Sequence, residues 1–67
     1  MKLTVNGKTV EWPATSGTLT DLVQAYRLRP NLVIAEVDGR VVRREEWPDI
    51  PLTDGMTVEL VQFVGGG

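Results

Sequence analysis

The stretch LTVNGKTVEW, residues 3–12, alternates apolar and polar residues on both sides of Asn6-Gly7. Alternation with period two is typical of a β-strand that buries one face. Asn-Gly is typical of a two-residue hairpin turn, because both central positions of a type I′ turn need a positive φ. Pro13 then removes a ladder donor and ends the second strand. The sequence therefore predicts a β-hairpin over residues 2–12.

The segment after the hairpin has helical periodicity. Thr18 is the predicted N-cap, and Asp21 in the first turn suits the positive end of the helix dipole. Pro30 is expected to stop the helix. Four apolar residues recur at helical spacing and predict one face packed on a sheet: Leu19, Leu22, Val23 and Tyr26.

The second half of the chain predicts further strands joined by turns. Residues 32–37 form a nearly continuous apolar run, Asp38-Gly39 indicates a turn, and Val41-Val42 a short return strand. Residues 43–48 indicate a polar or single helical turn anchored by Trp47. Residues 53–55 indicate a third turn, and residues 57–64 a long β-branched strand.

This order of elements predicts an α+β fold of the β-grasp, or ubiquitin-like, type. The helix lets a later strand return parallel to the first through a right-handed connection. The final strand is the longest and most apolar, so we expect it at the centre of the sheet, beside the first strand. We predict a mixed sheet of four to five strands with one helix on one face. We expect residues 1–64 to form this domain and residues 65–67 to form a flexible C-terminal glycine tail.

Composition excludes several classes of function. The 67 residues contain no cysteine and no histidine, which removes the thiolate nucleophile and the usual general base. No nucleophile–base pair, phosphate loop or calcium loop is visible, so we predict no catalytic residue and no metal site. A net charge of −2 argues against nucleic acid. The apolar runs are too short to span a membrane and the start lacks a signal-peptide core, so we expect a cytoplasmic protein with no membrane partner.

The C-terminal stretch FVGGG, residues 63–67, has two interpretations. Chain ends are commonly frayed, and glycines add no packing. Alternatively, the terminal carboxylate is the working group: activation as an acyl-adenylate supplies a leaving group that a sulfur nucleophile can displace. Residues without Cβ can enter a narrow channel, and three extended residues reach roughly 10 Å.

Several of these stretches together resemble the bacterial sulfur carriers of thiamine biosynthesis, the ThiS type. The resemblance covers nearly the whole chain and rests on LTVNGKTVEW, TLTDLVQAY, VVRREEW, TDG, TVELVQ and FVGGG. Arg43 stands where family members often have proline, a departure that affects a turn and not the tail.

The resemblance implies a chain that is acted on by partner enzymes and binds no cofactor itself. An E1-like adenylyltransferase, using ATP and magnesium, would adenylate the Gly67 carboxylate. A cysteine desulfurase or other sulfurtransferase would supply persulfide sulfur and give the Gly67 thiocarboxylate. Thiazole synthase would accept that sulfur for the thiazole ring of thiamine. Gly65, Gly66 and Gly67 would enter the partner's active site.

Two other functions stay open, as does the docking surface. Molybdenum-cofactor sulfur carriers share the fold and the tail, and a noncovalent β-grasp module would instead bind a protein or RNA through its sheet. We expect partners to dock near the last strand, on the sheet face away from the helix. Either Val58, Leu60 and Val64 or Val61 and Phe63 lie on that face. Trp12 and Trp47 are interpreted as packing aromatics.

Overall fold

A computed structural model describes residues 1–63 of the chain. A seven-residue helix, α1, covers Leu19–Ala25, and two 3₁₀ helices cover Pro30–Leu32 and Arg44–Asp49. Five strands accompany them: β1 (Lys2–Val5), β2 (Lys8–Glu11), β3 (Val33–Val37), β4 (Arg40–Val42) and β5 (Thr57–Gln62).

The five strands form one mixed sheet in the order β2-β1-β5-β3-β4. β5 is central: it runs parallel to β1, with Val5 opposite Val58, and antiparallel to β3, with Ala35 opposite Leu60. β2 and β4 are antiparallel edge strands. This architecture confirms the predicted β-grasp fold and the predicted place of the final strand beside the first.

The hairpin turn has the backbone that Asn-Gly predicts. Asn6 has φ 51° and Gly7 has φ 81°, both in the left-handed region. The Asn6 side chain also bonds the backbone of β5, where its Oδ1 accepts from Leu60 N at 2.7 Å and its Nδ2 donates to Leu60 O at 3.2 Å. The register of β1 with β5 ends with Val5 opposite Val58, so this amide extends the contact by two further residues on β5, to Leu60.

Helix α1 begins as predicted and ends earlier than predicted. Thr18 caps its first turn, with Asp21 N donating to Thr18 Oγ1 and Thr18 N to Asp21 Oδ2. The predicted stop at Pro30 is wrong, because the helix ends at Ala25 and Pro30 opens a 3₁₀ helix. Arg27, at φ 56°, turns the chain in the left-handed region.

Two bonds close the end of α1 as a Schellman motif. Arg27 N donates to Gln24 O at 2.9 Å and Leu28 N to Val23 O at 3.4 Å. The reversal turns Leu28 back against the core. Tyr26, predicted on the packed face, is instead 41% exposed, because it lies at the helix end where the chain changes direction.

One apolar core lies between α1 and the sheet. Leu19, Leu22 and Val23 of the helix are buried there, and their burial confirms the predicted helix face. The strands, the second 3₁₀ helix and the segment before β5 contribute the other buried side chains: Leu3, Val5, Val33, Ala35, Val42, Trp47, Leu52, Met56, Val58 and Leu60. The buried residues that belong to strands therefore define the inner face of the sheet, which faces α1.

The remaining elements follow the predicted pattern with shifted ends. Leu32 lies in a 3₁₀ helix and not in β3, and β5 ends at Gln62, while Val64 lies outside the described residues. Trp47 is buried in its 3₁₀ helix, as predicted. Trp12 packs against the core and donates from Nε1 to Ser16 O at 3.0 Å, so both tryptophans are packing residues.

Candidate functional site

The end of β5 is held firmly in the sheet up to Phe63. Gln62 lies opposite Val33, and Phe63 N donates to Leu32 O at 2.9 Å. Gln62 Oε1 accepts from Arg29 N at 2.8 Å, which ties the strand end to the loop after α1. The last described residues of the chain therefore form a fixed base on the central strand.

The predicted tail begins beyond this base. Val64, the predicted end of the domain, and Gly65, Gly66 and Gly67 lie outside residues 1–63. The predictions that Gly67 is modified and that the three glycines enter a partner's active site remain predictions.

The structure decides which residues of β5 lie on the outer face, the side of the sheet away from α1. Val58 and Leu60 are buried in the core, so their proposed role as docking residues is wrong for the folded chain. Val61 and Phe63 are 53% and 55% exposed. Successive residues of a strand point to opposite faces, so burial of the first two directs Glu59 and Val61 outward.

An apolar patch surrounds the outward residues of β5. Val61 lies directly opposite Ile34 of β3, which is 40% exposed, and Val41 of the edge strand β4 is 62% exposed. We call Ile34, Val41, Val61 and Phe63 the outer patch. Large contiguous apolar patches on a protein surface are typical of interaction sites. Two of the predicted docking residues, Val61 and Phe63, are therefore exposed, and docking of a partner on them stays a prediction.

Two carboxylates lie at the edge of the outer patch. Glu36 of β3 is directly opposite Glu59 of β5, one outward position from the pair of Ile34 and Val61. Such cross-strand partners have Cβ atoms about 4.5–5.5 Å apart, and like charges there are destabilising. The one ion pair found among residues 1–63 joins Arg43 Nε to Glu46 Oε1 at 3.6 Å, so neither glutamate has a cationic partner there.

The described residues carry no constellation suited to catalysis. A pocket of about 230 Å³ opens beside α1, and its lining contains one charged side chain, Arg44. Its other lining residues are Thr20, Val23, Gln24, Pro30, Trp47 and Pro48. No group of three acidic, histidine or cysteine side chains within residues 1–63 is placed to hold a metal ion. Over the same residues, no helix has the length and apolar character needed to cross a membrane.

Sequence reasoning missed half of the outer face. Ile34, Glu36 and Val41 were not predicted as surface residues, because the run of residues 32–37 reads as almost continuously apolar. Within this run, buried and exposed residues alternate only at Val33, Ile34 and Ala35. The signal that finds these residues is the register with β5, a pairing between segments distant in sequence.

Comparisons with known proteins agree with this architecture. The sequence matches the family model described as the ThiS family over residues 3–67. The Sulfur carrier protein ThiS of Bacillus subtilis (strain 168) is 38% identical over 65 residues, which cover 97% of this chain and 98% of the relative.

Two solved structures from Geobacter metallireducens have the same fold. A crystal structure of a thiamine biosynthesis protein (ThiS) superposes with a TM-score of 0.85 at 38% identity and full coverage of both chains. An NMR solution structure of a thiamine biosynthesis protein has a TM-score of 0.82 at 38% identity, covering 100% of this chain and 88% of that one. The sequence match from Leu3 to Gly67 and the shared fold together establish that this chain belongs to the ThiS family.

Proposed function

We propose that this chain is a sulfur carrier of thiamine biosynthesis whose Gly67 carboxylate is adenylated and then converted to a thiocarboxylate. The observation that carries the proposal is the family match, which extends to residue 67 and so includes the terminal glycines. The names of the relatives, a sulfur carrier and thiamine biosynthesis proteins, favour the thiamine pathway over the molybdenum-cofactor pathway.

The chemistry uses the terminal carboxylate as a nucleophile and then as an electrophile. A Gly67 carboxylate oxygen attacks the α-phosphorus of ATP, and pyrophosphate leaves. A persulfide sulfur attacks the resulting acyl carbon, and AMP leaves with the electron pair of the broken C–O bond. The product is an acyl disulfide that joins Gly67 to the donor. A thiol then attacks the donor's sulfur and breaks the S–S bond, which releases the thiocarboxylate and leaves a disulfide on the donor. The chain is the substrate in every step, and the partners supply the catalysis.

The fold contributes position and reach. β5 is anchored on both sides, and backbone and side-chain bonds hold it at Gln62 and Phe63. A rigid base fixes the origin of the tail, and three extended residues can carry the carboxylate roughly 10 Å away. Glycines without Cβ fit a channel that excludes side chains. Such an arm can place the carboxylate inside a partner's active site while the domain stays at its entrance.

Three partner enzymes supply this chemistry. An E1-like adenylyltransferase binds the ATP and magnesium, a cysteine desulfurase or other sulfurtransferase supplies the persulfide, and thiazole synthase accepts the sulfur. The carrier itself binds none of these cofactors. Because its activation consumes ATP, we place it in the cytoplasm.

Intact mass spectrometry tests the proposal. The chain is incubated with the adenylating enzyme, ATP, magnesium and a sulfur source, and we expect one oxygen to be exchanged for sulfur at Gly67. Two control chains, one with a single residue added after Gly67 and one lacking Gly66-Gly67, should remain unmodified while their circular dichroism spectra match the unaltered chain. Absence of the mass change in an enzyme system proven active on another carrier would overturn the proposal.

A further inference from the structure

We infer that Asn6 is a site of spontaneous deamidation, and that the folded chain protects it through two hydrogen bonds between the Asn6 side chain and the backbone of Leu60. Of the two asparagines in the sequence, Asn6 precedes a glycine and Asn31 precedes Leu32. Glycine has no Cβ, so no side chain shields the backbone nitrogen that follows the Asn6 carboxamide. The reaction needs only water, so this property is independent of the proposed function.

The reaction is an attack of the backbone on the neighbouring side chain. The Gly7 nitrogen gives up its proton to water or hydroxide and forms a bond to Cγ of Asn6. The Cγ–Nδ2 bond breaks, and ammonia leaves after taking up a proton. The product is a five-membered succinimide ring. Water then opens the ring at either carbonyl, which leaves aspartate or, where the main chain now runs through the former side chain, isoaspartate.

The hairpin turn is open to the water that this reaction uses. Asn6 and Gly7 are both exposed. A Cβ added at Gly7 would meet no heavy atom of residues 1–63 within 4 Å, so the space beside the turn is free. Exclusion of water therefore does not protect Asn6, and any protection must come from the position of its carboxamide.

The carboxamide is held away from the attacking nitrogen. Asn6 Oδ1 accepts from Leu60 N at 2.7 Å, and Asn6 Nδ2 donates to Leu60 O at 3.2 Å. Both bonds must break before Cγ can rotate toward the Gly7 nitrogen. Two hydrogen bonds of ordinary net strength keep the released side chain at about a tenth of the population or less. The folded chain should therefore deamidate from a locally opened form, in which the contact of the turn with β5 is lost.

The turn between β3 and β4 supplies a matched comparison. Asp38 and Gly39 have φ 49° and 84°, close to the 51° and 81° of Asn6 and Gly7. The Asp38 side chain has one bond among the described residues, in which Oδ1 accepts from Thr57 N at 3.1 Å. Thr57 O already accepts from Asp38 N at 2.8 Å. The two turns thus share a backbone conformation and differ in how many side-chain bonds hold them to β5.

The variant Asp38→Asn tests the inference, because it places a second Asn-Gly pair in this matched turn. The variant is incubated at mildly alkaline pH, once folded and once denatured in guanidinium chloride. Digestion and mass spectrometry then locate the converted sites, and chromatography separates aspartate from isoaspartate. Circular dichroism and a urea midpoint close to that of the unaltered chain show that the variant folds.

The expected rates differ between the two turns only in the folded chain. Denatured, positions 6 and 38 should convert at similar rates, and Asn31 much more slowly, because the Leu32 side chain crowds the attacking nitrogen. Folding should slow conversion of Asn6 about tenfold or more, because two bonds must break. The asparagine introduced at position 38 should be slowed by a smaller factor.

Deamidation should also weaken the join between the hairpin and β5. Asn6→Asp reproduces the aspartate product, which keeps the bond from Leu60 N and cannot donate to Leu60 O. We expect this variant to have a lower urea midpoint than the unaltered chain. Isoaspartate adds a backbone carbon to the turn, so the isoaspartate chain, purified after long incubation, should have a lower midpoint still.

Each outcome decides one part of the inference. Failure of Asn6 to convert in the denatured chain would overturn the site, and equal rates at Asn6 in folded and denatured chains would overturn its protection. Equal protection of positions 6 and 38 would assign the effect to the turn backbone and not to the bonds with Leu60. An unchanged midpoint for Asn6→Asp would overturn the predicted weakening. If Asp38→Asn does not fold, the comparison of folded and denatured unaltered chains still decides whether Asn6 is protected.

Discussion

The inner and outer faces of β5 differ in their exposure to solvent, although both belong to one strand. Val58 and Leu60 point inward and are buried against α1, whereas Glu59 and Val61 point outward and are exposed. A strand gives each face every second residue, so the two sets are interleaved in sequence and separated in space. The comparison shows how a short central strand can stabilise a small domain and still present a surface to a partner.

The largest expected effect is on the inner face. Leu60→Ala removes a buried side chain from the core and should lower the free energy of unfolding by about 2–5 kcal/mol. A domain of this size has a total stability of only a few to about 10 kcal/mol, so the variant should be close to unfolding. Urea denaturation followed by circular dichroism measures the change.

A conservative substitution keeps this test decisive if the alanine variant does not fold. Leu60→Met preserves volume and should lower the stability by less than about 1.5 kcal/mol. Equal stability of Leu60→Ala and the unaltered chain would contradict the assignment of Leu60 to the core.

The second effect concerns the join between the hairpin and β5. Asn6→Ala removes an amide that bonds both Leu60 N and Leu60 O, and it leaves these backbone groups without that partner. We expect a loss of about 1–3 kcal/mol of stability in urea denaturation. Asn6→Asp keeps the acceptor for Leu60 N and loses the donor, so its loss should be smaller. Unchanged stability of Asn6→Ala would contradict a stabilising role for this amide.

Local pattern predicts most of this fold. Asn6-Gly7 and Asp38-Gly39 need positive φ, and the structure has it at all four positions. The end of α1 was not predicted because Arg27, and not the usual glycine, adopts the left-handed conformation that ends the helix. Turning Leu28 back onto the core requires that conformation there, and a tertiary contact of this kind leaves no mark in local sequence.

The candidate site could be predicted only in part. Alternation along β5 left two possible outer faces, and burial selected the one with Val61 and Phe63. The pairing of Glu36 with Glu59 depends on the register between β3 and β5. Register between distant strands follows from packing of the whole sheet, so no single segment encodes it.

The smallest expected effect uses one substitution on both faces of the same strand. Val61→Ala truncates an exposed side chain, so the free energy of unfolding should change by no more than about 0.5 kcal/mol. Val58→Ala, its matched control, removes the same atoms from a fully buried site and should lower the stability by about 2 kcal/mol. Urea denaturation compares the two variants, and titration with the adenylating enzyme should show weaker binding for Val61→Ala. If Val61→Ala destabilises the fold as much as Val58→Ala does, β5 is buried on both faces, and the outer patch is part of the core and not a docking surface.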